Sequence, residues 1–194
     1  MASEIGFESK VENNISRYKS TLIILLIVGL LLLIPLIAMQ YTNEVNWDWF
    51  DFLVAGLLLS GTGIAFDILS RKSSKISYRL ATAISVGTAL LMVWANLAVG
   101  IIGSEDNSAN LMYLGVLAVG AIGGVIVKFR PMGMSLTMIA VAIAQVILTV
   151  IAVSLKLGAP YNSSTQLIVI NGFFIELWLV SAWFFAKGAK PENS

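Results

Sequence analysis

The sequence predicts an all-α, polytopic transmembrane helix bundle of about six spans, with both termini in the cytoplasm. Three observations predict it. Of 194 residues, 58% are hydrophobic and only 12% charged, against roughly 25% charged in ordinary soluble domains. Apolar runs recur along the chain, each close to the ~20 residues that a helix rising about 1.5 Å per residue needs to cross a bilayer core. The basic residues fall in alternate connections, as expected when Lys and Arg are held on the cytoplasmic side.

The elements follow in order. Residues 1–20 are polar and read as a cytoplasmic segment, with Val11, Ile15 and Tyr18 at i, i+4 and i+7 forming a narrow stripe suited to an interfacial helix. The first span, about residues 21–40, is uncharged, rich in Leu and Ile, and carries Pro35 near its far end. It is expected to face lipid and bend at the proline. No small-residue cleavage site follows, so the run reads as an anchor and not as a signal peptide. The second span, about residues 50–69, contains Ala55, Gly56, Ser60, Gly61, Thr62 and Gly63, small residues that predict close packing inside the bundle. The third covers about residues 80–102. The fourth, about residues 111–127, carries Gly115, Gly120, Gly123 and Gly124, of which Gly120 and Gly124 form a small-xxx-small pair. The fifth and sixth cover about residues 134–155 and 166–186. Residues 21–187 therefore read as one transmembrane domain and 188–194 as a cytoplasmic tail. Continuous apolar runs favour helices over barrel strands, which are about ten residues long and alternate.

Orientation rests on the basic residues. Lys10, Arg17 and Lys19 precede the first span; Arg71, Lys72, Lys75 and Arg79 lie between the second and third; Lys128 and Arg130 follow the fourth; Lys187 and Lys190 end the chain. The opposite loops hold Glu44, Asp48, Glu105 and Asp106, with Lys156 as their one basic residue. An even number of spans with both termini inside satisfies every loop. A faint repeat pairs Gly56, Gly61 and Arg71 with Gly115, Gly120 and Arg130 at one constant offset. Parallel hairpin repeats of the kind some transporters use are one source of such a match. The preference of membrane helices for glycine, with arginine at their inner ends, is another.

Composition excludes several function classes. A formal net charge of +1 gives no basic surface for a nucleic-acid partner. The absence of cysteine removes disulfides, thiolate metal sites and thiol nucleophiles. The absence of histidine removes the commonest general base and metal ligand. No catalytic residue, metal ligand or cofactor is therefore predicted.

Glu176 stands out, near the middle of the sixth span among Phe173, Phe174, Ile175, Leu177 and Trp178. An ionised side chain at a helix centre costs about 2.5–3.5 kcal/mol, so Glu176 is expected to face the bundle interior or a wet cavity. Asn96, Gln145 and Asn171 are uncharged polar residues in the third, fifth and sixth spans that would line a substrate or ion path with it. Singly, each is more often an interhelical hydrogen bond, worth about 0.6 kcal/mol. Gly56, Gly61, Gly120 and Gly124 are the candidate helix-packing positions. Asp67 and Arg71 have the i, i+4 spacing of a local ion pair. Asp48 and Asp51, beside Trp47 and Trp49, mark a membrane interface. The loop of residues 103–110 is dense in oxygen ligands but lacks the calcium-loop spacing, so turns and helix caps are the better reading. Asn162-Ser163-Ser164 matches a glycosylation acceptor, a weak three-residue signal.

The stretch Trp94-Ala95-Asn96-Leu97-Ala98-Val99-Gly100-Ile101-Ile102-Gly103-Ser104-Glu105-Asp106-Asn107, continuing through Ala109-Asn110-Leu111-Met112-Tyr113, resembles a family of small multi-span bacterial membrane proteins. Lys128-Phe129-Arg130-Pro131, with Gly133-Met134, is similar to its next turn. The resemblance covers about a third of the chain and implies a bacterial inner membrane, with no activity attached.

Three readings follow. The first is a small transporter or ion-conducting protein that uses Glu176, since a central carboxylate is otherwise a net cost. The second is a non-catalytic scaffold or accessory subunit, docking a membrane partner or a second copy through glycine-rich faces. The third, an intramembrane enzyme, needs a second titratable group beside Glu176, and none is near it in sequence. The first two make opposite structural predictions. A transporter brings polar groups from several helices to a wet cavity, whereas a scaffold pairs them off in dry contacts.

Overall fold

The computed structural model describes residues 2–42 and 45–190, with side chains from Tyr18 onward. It is all-helical among the described residues: α1 (Ala2–Tyr41), α2 (Trp49–Ser70), α3 (Ile76–Ala98), a short 3-10 turn (Ser108–Leu111), α4 (Met112–Ile126), α5 (Pro131–Ser154) and α6 (Ser164–Ala189). Six helices are long and apolar enough to cross a bilayer, spanning Tyr18–Tyr41, Trp49–Ser70, Ile76–Ala98, Ser108–Ile126, Pro131–Ser154 and Ser164–Ala189.

Contacts group the chain into two compact units, Met1–Asp67 and Ile68–Ser194. In the first unit, the polar N-terminal segment and the first span form one helix that runs on through Pro35. The side chains of Val11 and Ile15, and Glu44 altogether, lie outside the described residues. Leu22, Leu26, Leu30 and Ile34 of α1 are exposed. Among the described residues of α2, Ala55 and Ser70 are buried. Small residues permit close approach without requiring it. Gly63 is the tight position, since a Cβ there would sit 2.6 Å from Ile24 Cγ2, whereas Gly56 makes ordinary contact with Leu32 and Gly61 has open space. α2 starts at a reciprocal cap: Asp48 Oδ1 accepts from the Phe50 and Asp51 amides, and Asp51 Oδ2 accepts from the Asp48 amide. These carboxylates hold backbone donors that a helix start leaves unpaired. At the other end of α2, Asp67 Oδ1 accepts a 2.7 Å hydrogen bond from Ser20 Oγ.

The second unit is a four-helix bundle in which α5 packs on α6, α3 on α6, and α4 on α5. α3 and α4 scarcely touch, leaving a seam between them. The buried stripe of α3 is Tyr78, Ala81, Thr82, Ser85, Thr88 and Met92, mostly small or hydroxylated. Its threonine and serine hydroxyls are satisfied within the helix, Thr82 on Tyr78 O, Ser85 on Thr82 O and Thr88 on Ile84 O, which lets polar side chains sit in a dry contact. Ser181 Oγ donates to Ala81 O at 2.9 Å and joins α6 to α3. Glycines bring α4 close to α5: a Cβ on Gly123 would lie 2.7 Å from Thr137 Cγ2, and one on Gly120 3.3 Å from Val141 Cγ2. Gly124 faces Phe129 and Met134. The two halves of the repeat differ in packing, since Gly115 meets nothing where Gly56 meets Leu32, and Gly61 meets nothing where Gly120 meets Val141.

One end of this bundle gathers the start of α3, the end of α4, the start of α5 and the end of α6. Tyr78 Oη donates to Phe129 O at 2.8 Å, Lys75 Nζ donates to Lys190 O, and Lys72 lies 6.0 Å from the Phe129 ring centroid. With Arg71, Arg79, Lys128, Arg130 and Lys187, these cations form a basic end. At the opposite end α3 stops at Ala98, short of the predicted residue 102. Gly100 takes φ +72°, and the following Ile101 and Ile102 turn inward, 2% and 0% exposed. The run is apolar because it plugs the bundle, not because it continues the helix.

Candidate functional site

The plug is held by the asparagines of the connecting loops. Asn110 Oδ1 accepts from the Ile102 amide, and its Nδ2 donates to Ile102 O and Ser104 O. Asn107 caps the 3-10 turn through Ala109 N and donates to Leu157 O at 2.8 Å. Asn162 Oδ1 accepts from the Gly103 amide at 2.5 Å, so the side chain in the glycosylation-like triplet is a structural tie between two loops. Ser163 and Gln166 form the capping box that starts α6. No group of three or more carboxylates suited to a metal ion occurs among the described residues.

Deeper in the second unit lies a buried polar network. Asn171 and Gln145 are both 0% exposed, Tyr113 is 2% and Trp178 3%. Trp178 Nε1 donates to Gln145 Oε1 at 2.7 Å, and Gln145 Nε2 donates to Asn171 Oδ1 at 3.2 Å. Tyr113 Oη donates to the same Asn171 oxygen at 2.9 Å, while Asn171 Nδ2 donates to Leu167 O at 2.9 Å. Three helices are thereby joined, α4 through Tyr113, α5 through Gln145 and α6 through Asn171 and Trp178. Each amide has its carbonyl and at least one N–H engaged, and the phenol and indole protons are both placed. In hydrocarbon such pairing is what makes buried polar groups tolerable.

The sequence groups Asn96, Gln145, Asn171 and Glu176 along one path. The structure brings Gln145 and Asn171 together and leaves the other two elsewhere. Asn96, half-buried, donates from Nδ2 to Met92 O on its own helix at 2.8 Å, and its Oδ1 is buried without a partner. Glu176, expected in the interior, is exposed and forms no hydrogen bond with any described residue. Helix geometry gives the reason: five residues turn a helix by about 500°, so Glu176 points about 140° away from Asn171. The buried stripe of α6 is Leu167, Asn171, Phe174, Trp178, Ser181, Ala182 and Phe185. Around Glu176 instead lie exposed Phe173, Leu179, Val180 and Trp183.

Tyr113 and Trp178 are the members that sequence reasoning missed. Their signal was available, because a buried Tyr or Trp nearly always finds a partner for its polar atom. Trp178 also follows Asn171 by seven residues, two turns on the same face.

These features define the class: a polytopic, all-helical membrane protein with six helices able to span a bilayer. Comparison with family models, curated proteins and solved structures finds no match for the chain.

Proposed function

We propose that the chain is a non-catalytic subunit of a bacterial inner membrane, with both termini cytoplasmic, that docks a partner protein within the bilayer through the α6 face carrying Glu176. The observation that carries this reading is the division of the polar residues. Gln145 and Asn171 pair off in a dry contact, while Glu176 is exposed among apolar neighbours. A carboxyl group on a lipid-facing surface is costly unless another protein group meets it. The partner has a transmembrane helix with a Lys or Arg at matching depth. A second copy does not fit, because Lys19, Arg79 and Lys187, the basic residues within the described spans, all lie near helix or span ends. The basic end of the second unit supports cytoplasmic termini, and the resemblance of the Trp94–Asn107 stretch supports a bacterial inner membrane.

A photo-crosslinking residue at Val180, one turn from Glu176, tests the reading in the cells that make the protein. The expected adduct is with one membrane protein whose captured segment carries an intramembrane Lys or Arg, and Glu176→Gln abolishes it. Adducts only with lipid or with other copies of this chain, or an adduct indifferent to Glu176→Gln, overturn it.

A further inference from the structure

Glu176 has two particular neighbours on the outer face of α6. Gly172 precedes it by four residues and Phe173 by three, which on a helix sets them about 40° and 60° to its two sides, one turn toward the N-terminus. Helical side chains lean toward the N-terminus, which carries the Glu176 carboxyl over this turn. A Cβ at Gly172 would meet nothing within 4 Å, so the space beside the carboxyl is open and no other part of the described chain fills it. Phe173, 53% exposed, bounds that space on the other side.

A recess of this make-up holds a guanidinium better than an ammonium. A carboxylate takes a guanidinium through two parallel N–H···O bonds. The planar cation also stacks on an aromatic face, where an ammonium acts only as a point charge. In hydrocarbon the difference widens, because arginine keeps its charge whereas a desolvated lysine readily gives up its proton. The same face already sets a cation against a ring: Trp183 lies two turns beyond Glu176, and Lys187 Nζ is 5.2 Å from its ring centroid.

Resting on the docking reading above, we propose that the partner's intramembrane cation is an arginine, seated in the recess formed by Gly172, Phe173 and Glu176. Its guanidinium pairs with the Glu176 carboxyl and stacks on the Phe173 ring. The missing side chain at Gly172 lets the partner helix come close enough to deliver it.

The test uses the full chain, donor-labelled, in phosphatidylcholine vesicles with acceptor-labelled transmembrane peptides of leucine and alanine. The peptides differ only in one central residue, arginine, lysine or glutamine. Energy transfer that unlabelled peptide competes away measures association. The arginine peptide is expected to associate roughly fivefold or more tightly than the lysine peptide, with the glutamine peptide weakest. Phe173→Leu lowers the arginine peptide to the lysine level. Gly172→Leu, which fills the recess, and Glu176→Gln each lower it to the glutamine level. Because the space at Gly172 is open and Phe173 and Glu176 are exposed, the variants are compared at equal helicity and unfolding temperature. Equal association of the arginine and lysine peptides with the native chain, or arginine binding unchanged by Phe173→Leu or by Gly172→Leu, overturns the recess. Loss of both cationic peptides in Glu176→Gln would then leave the docking reading standing. If neither cationic peptide associates better than the glutamine peptide, both the recess and the docking reading fall.

Discussion

Replacing Gln145 with Leu removes the centre of the buried network while roughly preserving side-chain volume. The Trp178 indole N–H then has no acceptor at a position 3% exposed, and a stranded buried donor costs about 1–3 kcal/mol. The hydrogen bond from Gln145 Nε2 to Asn171 is also lost, about 0.6 kcal/mol by the average for membrane interiors. Asn171 keeps its bond from Tyr113, so the damage stays local. The sum is a destabilisation of roughly 1.5–3.5 kcal/mol. Trp178→Phe removes the stranded donor, so the double variant Gln145→Leu with Trp178→Phe should be more stable than the sum of the single losses, by about 1 kcal/mol or more. Reversible unfolding in mixed micelles titrated with dodecyl sulfate, followed by circular dichroism, measures all four proteins. A Gln145→Leu protein as stable as the native one, or strict additivity in the double variant, would show that these contacts do not hold the bundle together.

Glycine substitutions should separate close crossings from open ones. Gly123→Ala, whose Cβ would lie 2.7 Å from Thr137 Cγ2, is expected to destabilise by about 1–3 kcal/mol in the same titration. Gly61→Ala, with nothing within 4 Å, is expected to stabilise by roughly 0.5–1 kcal/mol. Because the native chain has no cysteine, single cysteines report sidedness without background. Tyr161→Cys should react with a membrane-impermeant maleimide on intact cells, and Ser74→Cys only after permeabilisation; the reverse result would invert the orientation.

The six helices were legible because a span must be long, apolar and continuous, a demand set by bilayer thickness. Which face of each helix turns inward was much less so. Lipid is as apolar as Leu, so Leu22 and Leu26 on an outer face look the same in sequence as Leu148 or Leu167 in the core. The inward stripe of α3 is marked instead by Ala81, Thr82, Ser85 and Thr88, small residues and hydroxyls that the apolar count passes over. The same ambiguity holds for α2, whose glycines and alanines fit a close contact but do not compel one.

Within the site, Gln145 and Asn171 were each legible as polar residues within spans, but their mutual hydrogen bond depends on how α5 and α6 dock, which no spacing within one helix encodes. Glu176 is different. Its angular distance from Asn171 follows from helix geometry alone, and the shared path failed on that count before any packing was considered. The end of α3 at Ala98 was hidden by Ile101 and Ile102, whose apolarity serves the plug.

The division of labour among these polar residues is tested most directly by proton and ion flux into liposomes holding the purified full chain, native and Glu176→Gln, at equal amounts of folded protein. If Gln145 and Asn171 serve to join helices and Glu176 to meet a partner, both proteins will pass no more than protein-free liposomes. Selective flux through the native chain that disappears in Glu176→Gln would contradict this and restore a conducting path through that carboxylate.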